Sequence, residues 1–119
     1  MSESHYNYYN EIIKPQLNLL KERDIPVKLR KKIVKQIEHE MKNISDAFIT
    51  KIEHFKLSTT EKKIVFLLKQ NFVSKEIADI LNVSIDTINT HRKNIRKKLM
   101  LTNKNKNLVM FIKSMENDL

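Results

Sequence analysis

The absence of glycine is the feature that most constrains this chain. None of its 119 residues is glycine, and proline occurs only at Pro15 and Pro26. Glycine is the usual residue at tight turns and β-bulges, so a chain without it must turn at residues such as Asn and Ser. No segment shows the alternating apolar pattern of a strand. The sequence therefore predicts an all-α fold with short turns.

Two patterns with apolar residues at helical spacing occupy residues 1–56. The first runs from about Tyr6 to Arg23, and Pro15 is expected either to lie in its first turn or, as we favour, to kink it. The second starts near Val27, after a break at the proline that precedes it. Together they predict a helical hairpin. The apolar positions of the second pattern, called the long stripe below, are Leu29, Ile33, Ile37, Met41, Ile44, Phe48 and Ile52.

The long stripe is wider than one short neighbouring helix covers easily. This favours a second copy of the chain, or a sensor domain, as the partner that covers it. The alternative is packing within the chain, since similar repeats also occur in monomeric helical hairpins. Ser45 and Asp46 favour an interruption, because both prefer helix caps to helix interiors. We expect self-association through these helices, including Met41 and Phe48, through the last helix, or through both.

A capping box marks the start of the second part of the chain. Ser58 is followed three positions later by Glu61 and then by an apolar helical set. Asn71 is expected to end this helix in place of the more usual glycine, and Ser74 to cap the next one. These signals predict a new domain that begins near residue 57.

Residues 74–99 form two short helical patterns on either side of a turn at residues 82–84. Asn82 suits this turn, because Asn tolerates a left-handed backbone better than any residue except glycine. Ser84 is placed to cap the second helix, and Ala78 lets the two helix axes approach closely. This arrangement predicts a helix-turn-helix.

The second helix of this motif has an apolar seam and a polar face. At about 100° per residue, Ile88, Ile95 and Leu99 fall within roughly 20° of one another and define the buried side. The opposite arc carries side chains that can hydrogen-bond base edges in a major groove wide enough for a helix. A solvated basic face on an ordinary helix is the alternative. The residues on that arc are Asp86, Asn89, Thr90, Lys93, Arg96 and Lys97.

An excess of positive charge favours a polyanionic partner, either nucleic acid or an anionic membrane surface. The chain carries 23 basic and 14 acidic residues, a formal charge of +9, and residues 57–119 hold +6 of it. Residues 92–106 contain seven basic side chains and no acidic one. Contact with phosphates is expected there.

Several classes of protein are disfavoured by what the sequence lacks. It has no cysteine, which excludes a disulfide frame and a thiolate metal site and fits a reducing cytoplasm. The first residues do not resemble a secretory signal, and no apolar run reaches the length of a membrane span. The four histidines share no ligand spacing, and no carboxylate pair accompanies His91. We therefore expect no metal, no cofactor and no enzyme activity.

Residues 57–112 resemble the LuxR-type helix-turn-helix domain, a four-helix module of the LuxR, NarL/FixJ and GerE families of bacterial transcription regulators. Residues 8–56 resemble, more weakly, the paired helices that precede this module in some PAS-linked regulators. The resemblance implies a DNA-binding domain at residues 57–119 and a supporting, dimerising hairpin at residues 1–56. The matching residues are an opening Leu-Ser-x-x-Glu, Lys75-Glu76-Ile77-Ala78 followed by Leu81, Val83-Ser84, and Thr87-Ile88-x-x-His91-Arg92-x-x-Ile95-x-x-Lys98-Leu99.

The resemblance implies a transcriptional regulator that binds specific double-stranded DNA, usually as a homodimer, with the recognition helix, residues 85–99, in the major groove. Base contacts carried over by position fall on Asn89, Thr90 and Lys93, the centre of the polar arc. Phosphate contacts would fall on Ser74, Lys75, Ser84, Thr87, Arg92, Arg96 and Lys97. The last helix, expected from about Lys104 to Met115, is a dimerisation surface in several members, which implies that role for Leu108, Phe111, Ile112 and Met115.

The chain departs from the family pattern in two ways. Many members have glycine where this chain has Asn71 and Met100, so we expect the recognition helix to run a little further than usual. Members also carry a receiver, ligand-binding or PAS domain, and none fits in the first 56 residues. We therefore expect control through a regulatory protein partner, through abundance or through a further domain. The alternative function is a protein-interaction module that does not read DNA, and a membrane-surface peptide or an enzyme is a distant third.

Overall fold

The fold is built from helices over the residues that the computed structural model describes, which are 3–22, 24–101 and 106–116. No strand occurs among them, and the all-α prediction is confirmed. None of these helices is long and apolar enough to cross a membrane. The helices are α1 (Glu3–Tyr8), α2 (Lys14–Glu22), α3 (Val27–Asn43), α4 (Asp46–His54), α5 (Thr59–Lys69), α6 (Ser74–Leu81), α7 (Ile85–Lys98) and α8 (Leu108–Ser114).

A π-helical turn, Tyr9–Ile13, joins α1 directly to α2 and lies just before Pro15. Proline has no N–H to donate, and its ring crowds the carbonyl four residues back. The turn is wider by one residue, with the Lys14 N–H donating to the Tyr9 carbonyl, so the chain stays helical up to the proline. At the predicted kink the chain therefore has a local widening, and α2 continues through Pro15 to Glu22. Arg23, the predicted end of this pattern, lies outside the described residues.

The second predicted pattern folds as two helices, α3 and α4, because the chain breaks at Ile44 and Ser45. The Ser45 hydroxyl oxygen caps α4 by accepting the Phe48 N–H at 3.0 Å. The predicted interruption is confirmed. The residues of the long stripe that are buried within the chain are Ile33, Ile37, Ile44, Phe48 and Ile52.

The buried residues of the long stripe are covered by other parts of the same chain. These residues belong to one hydrophobic cluster of the same chain, which extends from Tyr8 to Met115. The Tyr8 ring anchors α1 in this cluster, edge-on to Phe48 at 6.3 Å and to Phe66 at 6.0 Å between centroids. Packing within the chain is thus the arrangement observed, and Phe48, a predicted dimerisation residue, presents no surface to a second copy. The side chain of Met41, predicted for the same role, is outside those described.

Four turns in the described part of the chain contain a residue with positive φ that is not glycine. The φ values are 54° at Lys56, 70° at Asn71, 58° at Asn82 and 62° at Met100. This left-handed conformation ends a helix and costs most residues other than glycine about 1–2 kcal/mol. Asn and Asp pay less, because their short polar side chains hydrogen-bond locally. The predicted roles of Asn71 and Asn82 are confirmed.

Helix α7 ends at Lys98, two residues before Met100. The Leu101 N–H donates to the Arg96 carbonyl at 2.8 Å, and the Met100 N–H donates to the Lys97 carbonyl at 3.1 Å. These are the two hydrogen bonds of a Schellman turn. The expectation that the recognition helix runs further without glycine is wrong, because methionine itself adopts the left-handed conformation here.

A largely buried ionic cluster joins α3 and α5 to Glu116 in the turn after α8, and through Glu116 to Ser45, the cap of α4. The side chains of Glu40 and Glu116 are 13% and 24% exposed. The Lys69 side chain is 9% exposed and pairs with Glu40 and with Glu116, whose oxygen lies 2.6 Å from Nζ. The ammonium also lies 5.1 Å from the centroid of the Phe48 ring. Glu116 in turn accepts the Ser45 N–H at 3.1 Å. Buried charges need such partners, so this cluster fixes α3 and α4 against α5.

Candidate nucleic-acid interface

Helices α6 and α7 form the predicted helix-turn-helix. The turn passes through Asn82 with φ of 58° and ψ of 48°, and the Val83 N–H donates to the Ala78 carbonyl at 3.0 Å. Ser84 then caps α7 by accepting the Thr87 N–H at 3.1 Å. The helix-turn-helix, the left-handed Asn82 and the Ser84 cap are all confirmed.

The start of α6 differs from the prediction. Ser74 is the first helical residue rather than the cap, which is Val73. The Glu76 carboxylate accepts the Val73 N–H at 3.1 Å and so satisfies this backbone group without a hydroxyl. The Ser74 hydroxyl instead accepts a hydrogen bond from the Arg92 guanidinium at 3.3 Å. This bond ties the start of α6 to the middle of α7.

The buried side of α7 is the predicted seam. Ile88 and Ile95 have no exposed surface, and Leu99 is 3% exposed. Full burial of one such side chain stabilises a fold by about 1.5–3 kcal/mol. The seam therefore fixes which side of α7 faces solvent, and its prediction is confirmed.

The exposed side of α7 carries the three predicted base-contact residues. Asn89, Thr90 and Lys93 are all exposed and lie within about one helical turn. The Thr90 hydroxyl donates to the Asp86 carbonyl at 3.0 Å, which leaves its oxygen able to accept. The fold brings the three side chains together, and their contact with bases stays a prediction.

An open groove of about 740 Å³ lies beside this exposed side, between the start of α6, α7 and α8. Ser74, Lys75, Asn89 and Arg92 are among the residues that line it. Burial, together with the positive charge of Arg96, lowers the pKa of Arg92, yet a guanidinium stays charged at neutral pH. Three predicted phosphate-contact residues thus share one concave surface with a predicted base-contact residue.

The other predicted phosphate-contact residues lie elsewhere on the motif. Ser84 and Thr87 are at the start of α7, with their hydroxyl oxygens 2.9 Å apart. Arg96 donates to the Lys106 carbonyl at 3.0 Å, and Lys97 is exposed. The set is spread along α7 rather than gathered in one pocket. Such a spread suits an extended polymer better than a small ligand.

Lys98 differs from its basic neighbours on α7. Its Nζ lies 2.6 Å from the buried carboxylate of Glu61, which forms the confirmed capping box with Ser58 at the start of α5. Burial acts to raise the pKa of Glu61, but hydrogen bonds from Lys98 and Ser58 and the lysine charge lower it overall from 4.5. The basic run predicted from the sequence therefore includes one lysine that is paired inside the domain. Nothing in the charge pattern distinguishes it from Lys97.

Helix α8 begins at Leu108, four residues after the predicted start at Lys104. Asn107 caps the helix, and its side-chain oxygen accepts the Met110 N–H at 3.1 Å. The predicted start itself lies outside the described residues. The apolar pattern alone does not give the first residue of this helix, whereas the asparagine cap does.

Most of the apolar side of α8 is buried. Leu108 and Met115 are 3% exposed and Ile112 has no exposed surface, so these three predicted dimerisation residues belong to the chain's own core. Phe111 is half-buried at the edge of a groove of about 420 Å³ between α4 and α8. Met110, which the sequence pattern did not single out, is 71% exposed. The apolar surface of α8 that remains accessible therefore consists of the exposed Met110 and the half-buried Val109 and Phe111.

Comparison with protein-family models finds a match over residues 56–111 to the model GerE, described as bacterial regulatory proteins, luxR family. Comparison with curated proteins and comparison with solved structures each found no match. The matched residues contain α5, α6 and α7 and reach into α8. The PAS-linked resemblance of residues 8–56 stays a prediction. Residues 56–111 therefore form a DNA-binding helix-turn-helix domain of the luxR family of bacterial regulatory proteins.

Proposed function

We propose that this chain regulates transcription by binding specific sequences of double-stranded DNA, with α7 in the major groove. The division of α7 into two sides carries the proposal, because a buried seam opposes an exposed set of Asn89, Thr90 and Lys93. The family match supports DNA binding in general, and these side chains supply the chemistry for telling bases apart.

Each of the three exposed residues suits a different base edge. The Asn89 amide combines a donor and an acceptor, the pair that matches adenine, whereas the Lys93 ammonium donates to the O6 and N7 atoms of guanine. Thr90 offers a methyl group to thymine and a hydroxyl oxygen as an acceptor. The proposed reading thus depends on side chains within about one turn of α7.

Phosphate contacts fix the register of α7 on the duplex in this proposal. The groove at the start of α6 supports such a role, because it places the half-buried guanidinium of Arg92 beside two further hydrogen-bond donors, Ser74 and Lys75. The hydroxyls at the start of α7 and the basic side chains of its second half extend the same surface. The residues assigned to phosphate are Ser74, Lys75, Ser84, Thr87, Arg92, Arg96 and Lys97.

Selection of bound sites from a random duplex library tests the proposal. The wild-type chain should select an operator that it binds at least about 10³-fold more tightly than random DNA, with an affinity that falls steeply as salt rises. Asn89→Ala or Lys93→Ala should lose about 1–3 kcal/mol of base discrimination, whereas Lys97→Ala should weaken all sequences alike. Equal wild-type affinity for every duplex would contradict the proposal. Identical behaviour of Asn89→Ala and Lys97→Ala would contradict the assignment of faces.

We also propose that the regulator binds as a homodimer through the exposed part of α8, with residues 1–56 as a support. Adjacent apolar side chains at Met110 and Phe111 support this. Met110→Glu and Phe111→Glu should each shift the sedimentation mass from dimer to monomer with unchanged helix content by circular dichroism. Val27→Glu, at a valine that is 63% exposed on α3, is the control and should leave the mass unchanged. An unchanged mass for Met110→Glu would contradict this interface.

A further inference from the structure

Helix α3 carries a row of lysines that the helix-turn-helix does not include. Lys28, Lys31, Lys32 and Lys35 fall within roughly 100° of one another around the helix axis. All four are exposed, and residues 27–37 contain no acidic side chain. A row of positive charge, called the lysine row below, therefore runs along one side of α3.

Direct contacts place the lysine row next to the helix-turn-helix. The Lys32 ammonium lies 3.7 Å from the carboxylate of Glu76, which is in the first turn of α6. The same turn contains Ser74, which is hydrogen-bonded to the Arg92 guanidinium of α7 at 3.3 Å. The Lys32 side chain nevertheless remains 57% exposed. The lysine row thus lies beside the groove in which phosphate contacts are proposed.

Two open grooves connect the lysine row to the exposed side of α7. A groove of about 410 Å³ is lined by Lys35 on α3 and by residues 69–71 at the end of α5. The groove beside α7 is also lined by Asn71, and it continues to Asn89 and Arg92. The two grooves have Asn71 in common as a lining residue, so they lie next to each other between Lys35 on α3 and the exposed side of α7.

The charge along these two grooves is positive. Among the residues that line the two grooves, the charged ones are Lys35, Lys69, Lys75 and Arg92 against the one carboxylate of Glu40, which shares Lys69 with Glu116. Glu76, beside the grooves, is paired with Lys32. A duplex presents one negative charge for about every 1.7 Å of its axis, so its phosphates continue past any short site read by one helix. A polyanion of that kind complements a basic surface that begins at the base-contact side and extends beyond it.

We propose that the lysine row of α3 contacts phosphates of DNA that flanks the base pairs read by α7. This inference rests on the proposed function, since it requires DNA on α7. Phosphate contacts carry no sequence information, so the lysine row adds affinity and salt dependence without adding base discrimination. The helices before the luxR-family domain then take part directly in binding DNA.

Two duplexes test this proposal: one ends at the edges of the selected operator, and the other extends it by about ten base pairs, one helical turn, on each side. The full wild-type chain should bind the longer duplex more tightly. Lys31→Gln/Lys35→Gln should lose about tenfold on the longer duplex at ~0.1 M salt, with a salt slope smaller by about 2. On the shorter duplex it should bind like the wild type, and its preference for operator over random DNA should not change.

A matched charge change provides the control. Lys14→Gln/Lys42→Gln removes the same charge from two exposed lysines outside both grooves and should bind both duplexes like the wild type. An equal loss in this control, a loss independent of duplex length, or no loss for Lys31→Gln/Lys35→Gln would overturn the proposal. Failure of the proposed function would instead appear as a wild-type chain that does not prefer its operator, and the length test then proceeds on random duplexes.

Discussion

Two lysine contacts tie helix α5 to its neighbours, and their surroundings differ. The Lys69 side chain is 9% exposed and lies between Glu40 and Glu116, whereas the Lys98 side chain is 41% exposed and reaches the single carboxylate of Glu61. Loss of Lys69 leaves two largely buried carboxylates without their cation, whereas water reaches the Lys98 side of the pair with the buried Glu61 and screens part of that contact. Both regions pack through apolar side chains, and we expect the ionic contact of the N-terminal helices to be the more sensitive of the two to loss of a partner.

The largest effect is expected at the buried cluster. Lys69→Met keeps an apolar stem of similar length but leaves the carboxylates of Glu40 and Glu116 without their cation. It should lower the free energy of unfolding by about 3–5 kcal/mol in urea denaturation followed by circular dichroism. Adding Glu40→Gln and Glu116→Gln to this variant should recover much of the loss, because no buried charge then remains unpaired.

Lys62→Met is the control for that variant. The Lys62 side chain is 12% exposed, nearly as buried as Lys69, but its partner Glu53 is 57% exposed, so the carboxylate that Lys62→Met leaves behind is solvated. Its removal should cost less than about 1 kcal/mol. If both lysine variants lost the same stability, burial would not distinguish the two kinds of contact.

An intermediate effect is expected where α7 meets α5. Glu61→Gln removes the charge that Lys98 faces while an amide at this position still serves the capping box. The folded pKa of Glu61 is lowered from 4.5, so the ionised carboxylate stabilises the fold above that pH, and this contribution is lost as pH falls through the lowered value. Glu61→Gln should therefore lower the free energy of unfolding by about 1–2 kcal/mol at neutral pH, and the difference from wild type should shrink as the pH falls through the lowered pKa.

Glu53→Gln serves as the matched change at an exposed carboxylate. In the same urea measurements, Glu53→Gln should lower the free energy of unfolding by less than about 0.5–1 kcal/mol. A difference between Glu61→Gln and wild type that grew as the pH fell would have the wrong sign for a lowered pKa.

The smallest effect is expected at the end of α7, where Met100 holds a left-handed conformation without any charge contact. Met100→Gly removes a backbone cost of about 1–2 kcal/mol but adds freedom to the unfolded chain, for a net gain of roughly 0.5–1 kcal/mol. Thermal unfolding should show the corresponding rise in Tm. Asn82→Gly should change stability less, since asparagine already tolerates this conformation. A fall in Tm for Met100→Gly would show that the methionine side chain stabilises the turn.

Features that depend on residues a few positions apart could be predicted from the sequence. The Ser58 and Glu61 capping box, the Ser84 cap and the left-handed Asn82 are each set by a short stretch of chain. The buried seam of α7 follows from helical periodicity alone. These local rules were sufficient to locate the helix-turn-helix and its exposed side.

Features that depend on distant residues could not be predicted in this way. The Lys69 cluster joins helices far apart in sequence, and no pattern within α5 marks that lysine as buried. Periodicity shows that a side of a helix will be covered but not what covers it. The sequence therefore does not distinguish a dimer surface at Phe48 and Ile112 from the core position that both residues have. The preference of serine for caps predicts a cap at Ser74. The observed cap is Val73, whose N–H donates to the Glu76 carboxylate, a contact that serine propensity does not reveal.

Turns without glycine restrict how far α7 can move. Asn82 and Met100 border this helix, and side chains at both positions leave the backbone fewer alternatives than a glycine hinge would. The surface that meets DNA is then organised before the encounter, and little binding free energy is lost in ordering it. We expect association limited by diffusion and charge steering rather than by a conformational step. Under the proposed function, we expect such a preformed surface to bind its operator quickly and to adapt little to divergent sites.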